Sequence, residues 1–207
     1  MSDFTQSIAA TPSMPNAPAK TTCWLCSEDS APVTTVPPPL DRFLRVIRKT
    51  TWQGYDDDSC WSRGQARSIY GFTLAHKATE EEVFLSVAEK LADYFIKNLP
   101  ADYVPYWNFN DPRIPNAPRD SSAAAIACSG LMTLSKLNGK KKFMDMANRI
   151  LSSLSTNYIA EESCDGILKH GCFHMPKKVG VDESLIWGDY YFLEALMKSS
   201  DEPQDGE

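Results

Sequence analysis

This 207-residue chain has no apolar run near the ~20 residues that a bilayer-spanning helix needs. Its opening, Met1-Ser2-Asp3-Phe4-Thr5, lacks a basic stretch followed by an apolar core. No secretory leader is therefore expected, and the expected location is cytoplasmic. Positive charge is also short: 21 Lys and Arg against 27 Asp and Glu leave a net charge of −6. That balance speaks against nucleic acid or an anionic membrane as the main partner. The one basic cluster, Lys140-Lys141-Lys142, stands at an expected helix start and reads as a solvated face.

Six cysteines are too few for a disulfide framework, so reduced thiols are expected. Cys23 and Cys26 have metal-site spacing, but no second pair follows, and Cys164, His170, Cys172 and His174 fall at intervals unlike a zinc finger. No metal is expected. Ser-His-Asp order, a phosphate loop and a dinucleotide fingerprint are all missing. No stretch alternates for long enough to predict a sheet.

What is present is helical periodicity. Residues 1–40 are rich in Pro, Ser and Thr and are expected to be disordered or unrelated to the rest, as is the acidic tail 201–207. Between them, about 41–200, apolar positions recur with helical period in five places. The expected helices cover about 59–77, 80–98, 121–137, 140–156 and 183–198. The second is announced by Thr79 as cap and Glu80-Glu81-Glu82 in the first turn, where acids complement the helix dipole. The third is rich in Ala and Gly, so it can approach its neighbours closely.

Asp57-Asp58-Ser59, Asp120-Ser121-Ser122 and Asp182-Glu183-Ser184 recur at intervals of 63 and 62 residues. Each precedes an apolar helical segment and is expected to cap it. The period predicts an all-α array of about two and a half hairpins, with inner helices alternating with outer amphipathic ones. Two long loops, 100–119 and 158–181, separate the units; the first carries Tyr103, Tyr106, Trp107 and Phe109, rings that belong against the core or a ligand.

The candidate site lies at 51–67. Arg63 offers a planar fork that fits a carboxylate through two parallel hydrogen bonds. Arg67 lies four residues on, along the same helical side. Both arginines could equally be ion-paired to Asp56 or Asp57. Trp61 offers an apolar face to a sugar ring, or a core anchor. Residues two apart on a helix diverge, so Trp61 and Arg63 converge only above the helix start, where an anion is favoured. Thr51 and Gln53 could bond sugar hydroxyls. Asp57 and Asp58 diverge as sequence neighbours and make a poor acid–base pair.

Gln53-Gly54-Tyr55-x-Asp57-Asp58-Ser59-x-Trp61-x-Arg63-Gly64-Gln65-Ala66 resembles the signature of glycoside hydrolase family 88, the unsaturated glucuronyl hydrolases. The likeness continues through Pro105-Tyr106-Trp107-Asn108-Phe109, Arg119-Asp120-Ser121-Ser122 and Ser184-Leu185-Ile186-Trp187-Gly188-Asp189. It implies part of an (α/α)6 toroid, the C-terminal half. It also implies an enzyme acting on unsaturated uronic-acid oligosaccharides left by polysaccharide lyases. In that chemistry an aspartate protonates C4 of the C4=C5 bond, water adds at C5, and the hemiketal opens, with no metal or organic cofactor. The family's principal aspartates are expected upstream of the signature and are not matched here, so no catalytic residue is assigned. The resemblance places substrate contacts at Thr51, Gln53, Trp61 and Arg63. The chain departs from the family at Trp52, where histidine is common, and at Arg67, where tryptophan is common. A partial toroid is expected to self-associate through its uncovered edges. A non-catalytic oligosaccharide-binding remnant and a helical interaction scaffold remain alternatives.

Overall fold

The computed structural model describes residues 50–200. The proline-rich segment 1–40, the Cys23/Cys26 pair and the tail 201–207 lie outside the described residues. Five helices appear in the expected order, with ends within three residues of expectation: α1 Ser62–Thr79, α2 Glu82–Lys97, α3 Ser121–Asn138, α4 Lys141–Asn157 and α5 Ile186–Ser200. α3 is the centre, with α1 and α5 on its flanks and α4 behind it, while α2 lies behind α1. The result is an arc: α1, α3 and α5 form the inner layer and α2 and α4 the outer.

The inner layer depends on small residues. Every residue of α3 from Ser121 to Met132 is buried. A Cβ at Gly130 would sit 3.2 Å from the backbone of Tyr70, and one at Gly188 would sit 3.1 Å from Ser122. Those two glycines set the spacing of α1 and α5 from α3.

The outer helices are held by packing rather than by caps. Neither Glu81 nor Lys140, the residues that precede α2 and α4, bonds the helix through its side chain. A good cap contributes about 1 kcal/mol. Leu91 and Phe95 of α2, with Phe143, Ile150 and Leu154 of α4, are fully buried, each worth about 1.5–3 kcal/mol.

The three Asp/Ser echoes do three different things. Only Asp120 is a helix cap, accepting the N–H of Ala123. In the first echo, Ser59 closes a turn by donating to the carbonyl of Asp56, and Asp57 accepts the Thr50 hydroxyl and the Thr51 N–H. α1 starts from Trp61 with no side-chain cap. Asp182 is not a cap either: it lies in a strand at φ 64° and pairs with His170. Thr79 likewise belongs to the end of α1, where its hydroxyl donates to Ala75.

The expectation of no sheet also needs correction. β1 (Gly171–His174) and β2 (Val179–Glu183) form an antiparallel hairpin within the second long loop, pairing Cys172 with Val181 and His174 with Val179. Strands of four and five residues are too short for alternation to show. The hairpin is shaped by its turn, a 3-10 segment Met175–Lys177 followed by Lys178 at φ 54° and Gly180 at φ 56°.

Candidate functional site

The N-terminal ends of α1, α3 and α5 meet at one end of the arc, and the β1–β2 hairpin crosses over them. Arg63 lies at their centre and is only 1 % exposed. Its guanidinium lies 4.7 Å from the Trp61 ring, 5.3 Å from Trp187 of α5 and 5.9 Å from Phe173 of β1. Three aromatic rings thus surround one cation, an arrangement that favours positive charge in a desolvated place. Trp61 and Arg63 converge because Trp61 is not yet helical: its ψ of 118° swings its ring back over the guanidinium.

The polar partners of Arg63 are few. Nη2 donates to the carbonyl of Phe173, and the Gln53 amide donates to the same oxygen at 3.0 Å. Nη1 lies 3.9 Å from the Asp120 carboxylate, which is fully buried, so the counter-charge is Asp120 and not Asp56 or Asp57. Nε and Nη1 of Arg63, Oδ2 of Asp120 and Nε2 of His174 are buried without a hydrogen-bond partner. Arg63 Nη1 and Asp120 Oδ2 face each other at ion-pair distance, which leaves Nε of the guanidinium as a buried donor without an acceptor, and such a donor costs free energy.

Asp120 is fixed from its other side. Oδ1 accepts the Ser122 hydroxyl and the Ala123 and Cys172 N–H groups. Ser122 in turn accepts the indole N–H of Trp187 at 3.2 Å. The chain Trp187–Ser122–Asp120 therefore joins α5 to α3 and holds the carboxylate facing Arg63.

Burial lowers the Arg63 pKa, opposed by Asp120 and reinforced by Arg67. His174 is also lowered, first by burial and then by Lys177, so its ring is held neutral to more acidic pH than usual. Burial pushes the Cys172 thiol up to about 12, which makes it an inert packing group.

Arg67, one turn beyond Arg63, is exposed, so the two arginines do not share one environment. The Thr51 hydroxyl accepts the Gly54 N–H at 2.9 Å, which makes the turn that places Gln53 under Phe173. A Cβ at Gly54 would meet that hydroxyl at 2.6 Å, so a larger residue there would have to displace the Thr51 side chain that makes the turn. Trp52 is exposed beside His174, with the Lys177 ammonium 4.7 Å over its ring. Of the expected contacts, the structure brings together Gln53, Trp61 and Arg63, with Thr51 behind them. It adds Asp120, Phe173, His174 and Trp187. Asp120 and Trp187 stand inside recognisable motifs, whereas the Phe173 carbonyl is a backbone group that no side-chain pattern reveals.

In the 100–119 loop, Tyr106 and Trp107 pack with Trp61, Ala117 and Cys172 as a second small core that backs the site. Trp107 also donates its indole N–H to Asp111. Among the described residues, no group of three or more His, Cys, Asp or Glu side chains is placed to hold a metal. None of the described helices is long and apolar enough to cross a membrane.

No family model matches the chain. It is 42 % identical over 164 residues to an unsaturated glucuronyl hydrolase from Formosa agariphila, a match taking in 76 % of this chain and 41 % of the relative. Its fold superposes on the crystal structure of the unsaturated glucuronyl hydrolase of Bacillus sp. GL1 with a TM-score of 0.73 at 35 % identity, covering 76 % of this chain and 44 % of that one. The chain is a partial homologue of the family 88 glycoside hydrolases. It is also similar to the Streptococcus agalactiae enzyme in complex with dGlcA-GalNAc6S, with a TM-score of 0.69 and 33 % identity over 81 % of this chain and 46 % of that one. The described helices are accordingly an incomplete (α/α)6 toroid. The chain spans about two fifths of the length of the curated relatives it matches.

Proposed function

We propose that this chain forms the wall of a glycoside hydrolase site that grips the carboxylate of an unsaturated uronic acid at the end of an oligosaccharide. One observation carries the reading. Arg63 is buried in an aromatic cage with Nε lacking a hydrogen-bond partner and Nη1 in ion-pair contact with Asp120 alone, at a place where three helix N-termini converge. A carboxylate is the ligand that a guanidinium recognises best, and helix N-termini favour an anion.

The parts divide as follows. Arg63 holds the carboxylate, Gln53 bonds a ring hydroxyl, and the Trp61 and Trp187 rings exclude water. Asp120 is a positioning residue that fixes the guanidinium plane. The Phe173 carbonyl occupies one guanidinium N–H, so the β1–β2 hairpin must shift for a sugar to enter. With the uronate so held, its C4=C5 bond lies where an acid can protonate C4 while water adds at C5. The proton donor is supplied by a residue outside those described. Arg67, exposed at the outer end, serves as a secondary positive charge for the same anionic ligand. The substrate class is the unsaturated oligosaccharide that a polysaccharide lyase releases.

Calorimetric titration of the full chain with dGlcA-GalNAc6S tests the reading. Binding that falls at least tenfold in Gln53→Ala and Arg63→Lys supports it. Unchanged binding in both variants, or none in the parent, refutes it. Loss of ultraviolet absorbance from the same disaccharide reports hydrolysis separately.

A further inference from the structure

The outer wall of the arc carries a groove that the site at Arg63 does not use. It lies between the turn that follows α2 and the C-terminal half of α4, with a volume of about 600 Å³. Its two sides are tied together. Ser153 donates to the carbonyl of Asp102 at 2.6 Å, and the Tyr158 hydroxyl donates to the Asp102 carboxylate at 2.8 Å. Arg119 pairs with the same carboxylate at 3.0 Å, so the one acid in the wall is already compensated. Tyr103 stands at φ 62°, a left-handed conformation that is uncommon for a bulky residue. Its hydroxyl accepts Nη1 of Arg149 at 3.2 Å, which holds the ring at the edge of the groove.

The α4 side of the groove is not composed for helix stability. Asn148, Ser152, Ser153, Ser155, Thr156 and Asn157 are six weak helix formers among the ten residues 148–157. The first half of the helix carries Lys141, Lys142 and Asp145, whereas Arg149 is the only charged residue between Asp145 and Glu161. Asn148, Arg149, Ser152 and Thr156 are exposed and adjoin one another at helical spacing. Amides and hydroxyls beside an aromatic ring and a single guanidinium match a sugar chain with one acid group. We propose that this groove is a second saccharide site, which takes an internal stretch of a uronic-acid-containing oligosaccharide. Arg149 takes the carboxylate, the Tyr103 ring meets the C–H surface of a pyranose, and Asn148, Ser152 and Thr156 bond hydroxyls. The volume is within the range of sites that enclose small ligands. One cation is too few for a polyphosphate or a densely sulfated chain. The groove is lined wholly by described residues, and the inference does not rest on the reading of Arg63.

The test is calorimetric titration of the full 207-residue chain with a saturated, unsulfated chondroitin hexasaccharide, which offers carboxylates and no C4=C5 bond. Binding should weaken at least about tenfold in Arg149→Ala, and equally in Ser152→Trp, whose indole fills the groove from an exposed position. Circular dichroism should be unchanged in both. Hydrogen exchange across 101–104 should slow when the hexasaccharide binds, and neutral maltohexaose should bind at least about tenfold more weakly. No binding to the parent chain, or binding that either variant leaves unchanged, overturns the proposal. Equal binding of maltohexaose overturns it as well. So does hexasaccharide binding that is lost in Gln53→Ala, which would place the ligand at Arg63. Failure of the Arg63 reading shows separately, in the response of dGlcA-GalNAc6S to Gln53→Ala.

Discussion

Replacing Asp120 with Asn removes one negative charge and leaves the backbone acceptor geometry nearly intact. The carboxylate is fully buried and 3.9 Å from the guanidinium of Arg63, which is also buried. At an effective dielectric of about 20, that separation is worth about 4 kcal/mol. Removing one member of a buried pair costs about 3–5 kcal/mol, because the remaining charge is left without compensation. Asn still caps helices well, so the loss of the cap is only a few tenths of a kcal/mol. Asp120→Asn should therefore lower unfolding stability by about 3 kcal/mol, and Asp120→Ala by about 1 kcal/mol more. Arg63→Met in the Asp120→Asn background removes the stranded cation and should recover at least about 2 kcal/mol of that loss. Urea unfolding followed by circular dichroism measures all four corners of the cycle. A loss below about 1 kcal/mol in Asp120→Asn, or additive effects in the double variant, would show that the two charges are not coupled, and the site as described would fail.

Other outcomes follow from the same geometry. The Arg113 side chain, with the Trp107 indole assisting, holds the Asp111 carboxyl down at about 2. A depressed carboxyl stabilises the fold above its unfolded pKa of about 4, and the benefit of about 2 kcal/mol fades as pH falls from 4 to 2. Asp111→Asn should remove that acid limb, as read by thermal unfolding at stepped pH. The lowered His174 pKa has the same sense of pH dependence: the unfolded chain takes up the proton first, so stability should decline as pH drops below about 6.5. That decline should be absent in His174→Gln. Gly130→Ala places a methyl group against the Tyr70 backbone and should cost about 1–3 kcal/mol by separating α1 from α3. A neutral or stabilising result would contradict the close approach.

Much of the arc was legible before the structure. Phe143, Ile150 and Leu154, like Leu91 and Phe95, repeat with helical period because one face of each outer helix is buried, and that face is local information. The density of small residues in α3 likewise pointed to a central helix. The Asp/Ser echoes were misleading as caps, since a side chain that bonds a helix start and one that closes a turn look alike in sequence. Only the bonding partner of each, the local Ala123 N–H for Asp120 but the more distant His170 for Asp182, separates them. The site was half legible. Gln53, Trp61 and Arg63 sit within 11 residues of one another, so their motif exposed them. The Arg63–Asp120 pair and the Phe173 carbonyl come from 57 and 110 residues away and depend on tertiary packing that no local pattern encodes.

The aromatic cage also explains why the arginine cannot be judged by exposure alone. A guanidinium closed in by Trp61, Phe173 and Trp187 and facing the buried Asp120 carboxylate is strongly desolvated, and a second carboxylate reaching it would also act through the low local dielectric. The hairpin that seals it contributes a single backbone carbonyl, a weaker partner than an ionised carboxylate.

The most direct measurement is a crystal structure of the chain soaked with dGlcA-GalNAc6S. The account predicts the uronate carboxylate about 3 Å from Nε or Nη1 of Arg63, with the Phe173 carbonyl moved off the guanidinium. A sugar bound elsewhere, with Arg63 still sealed beneath Phe173, would contradict it.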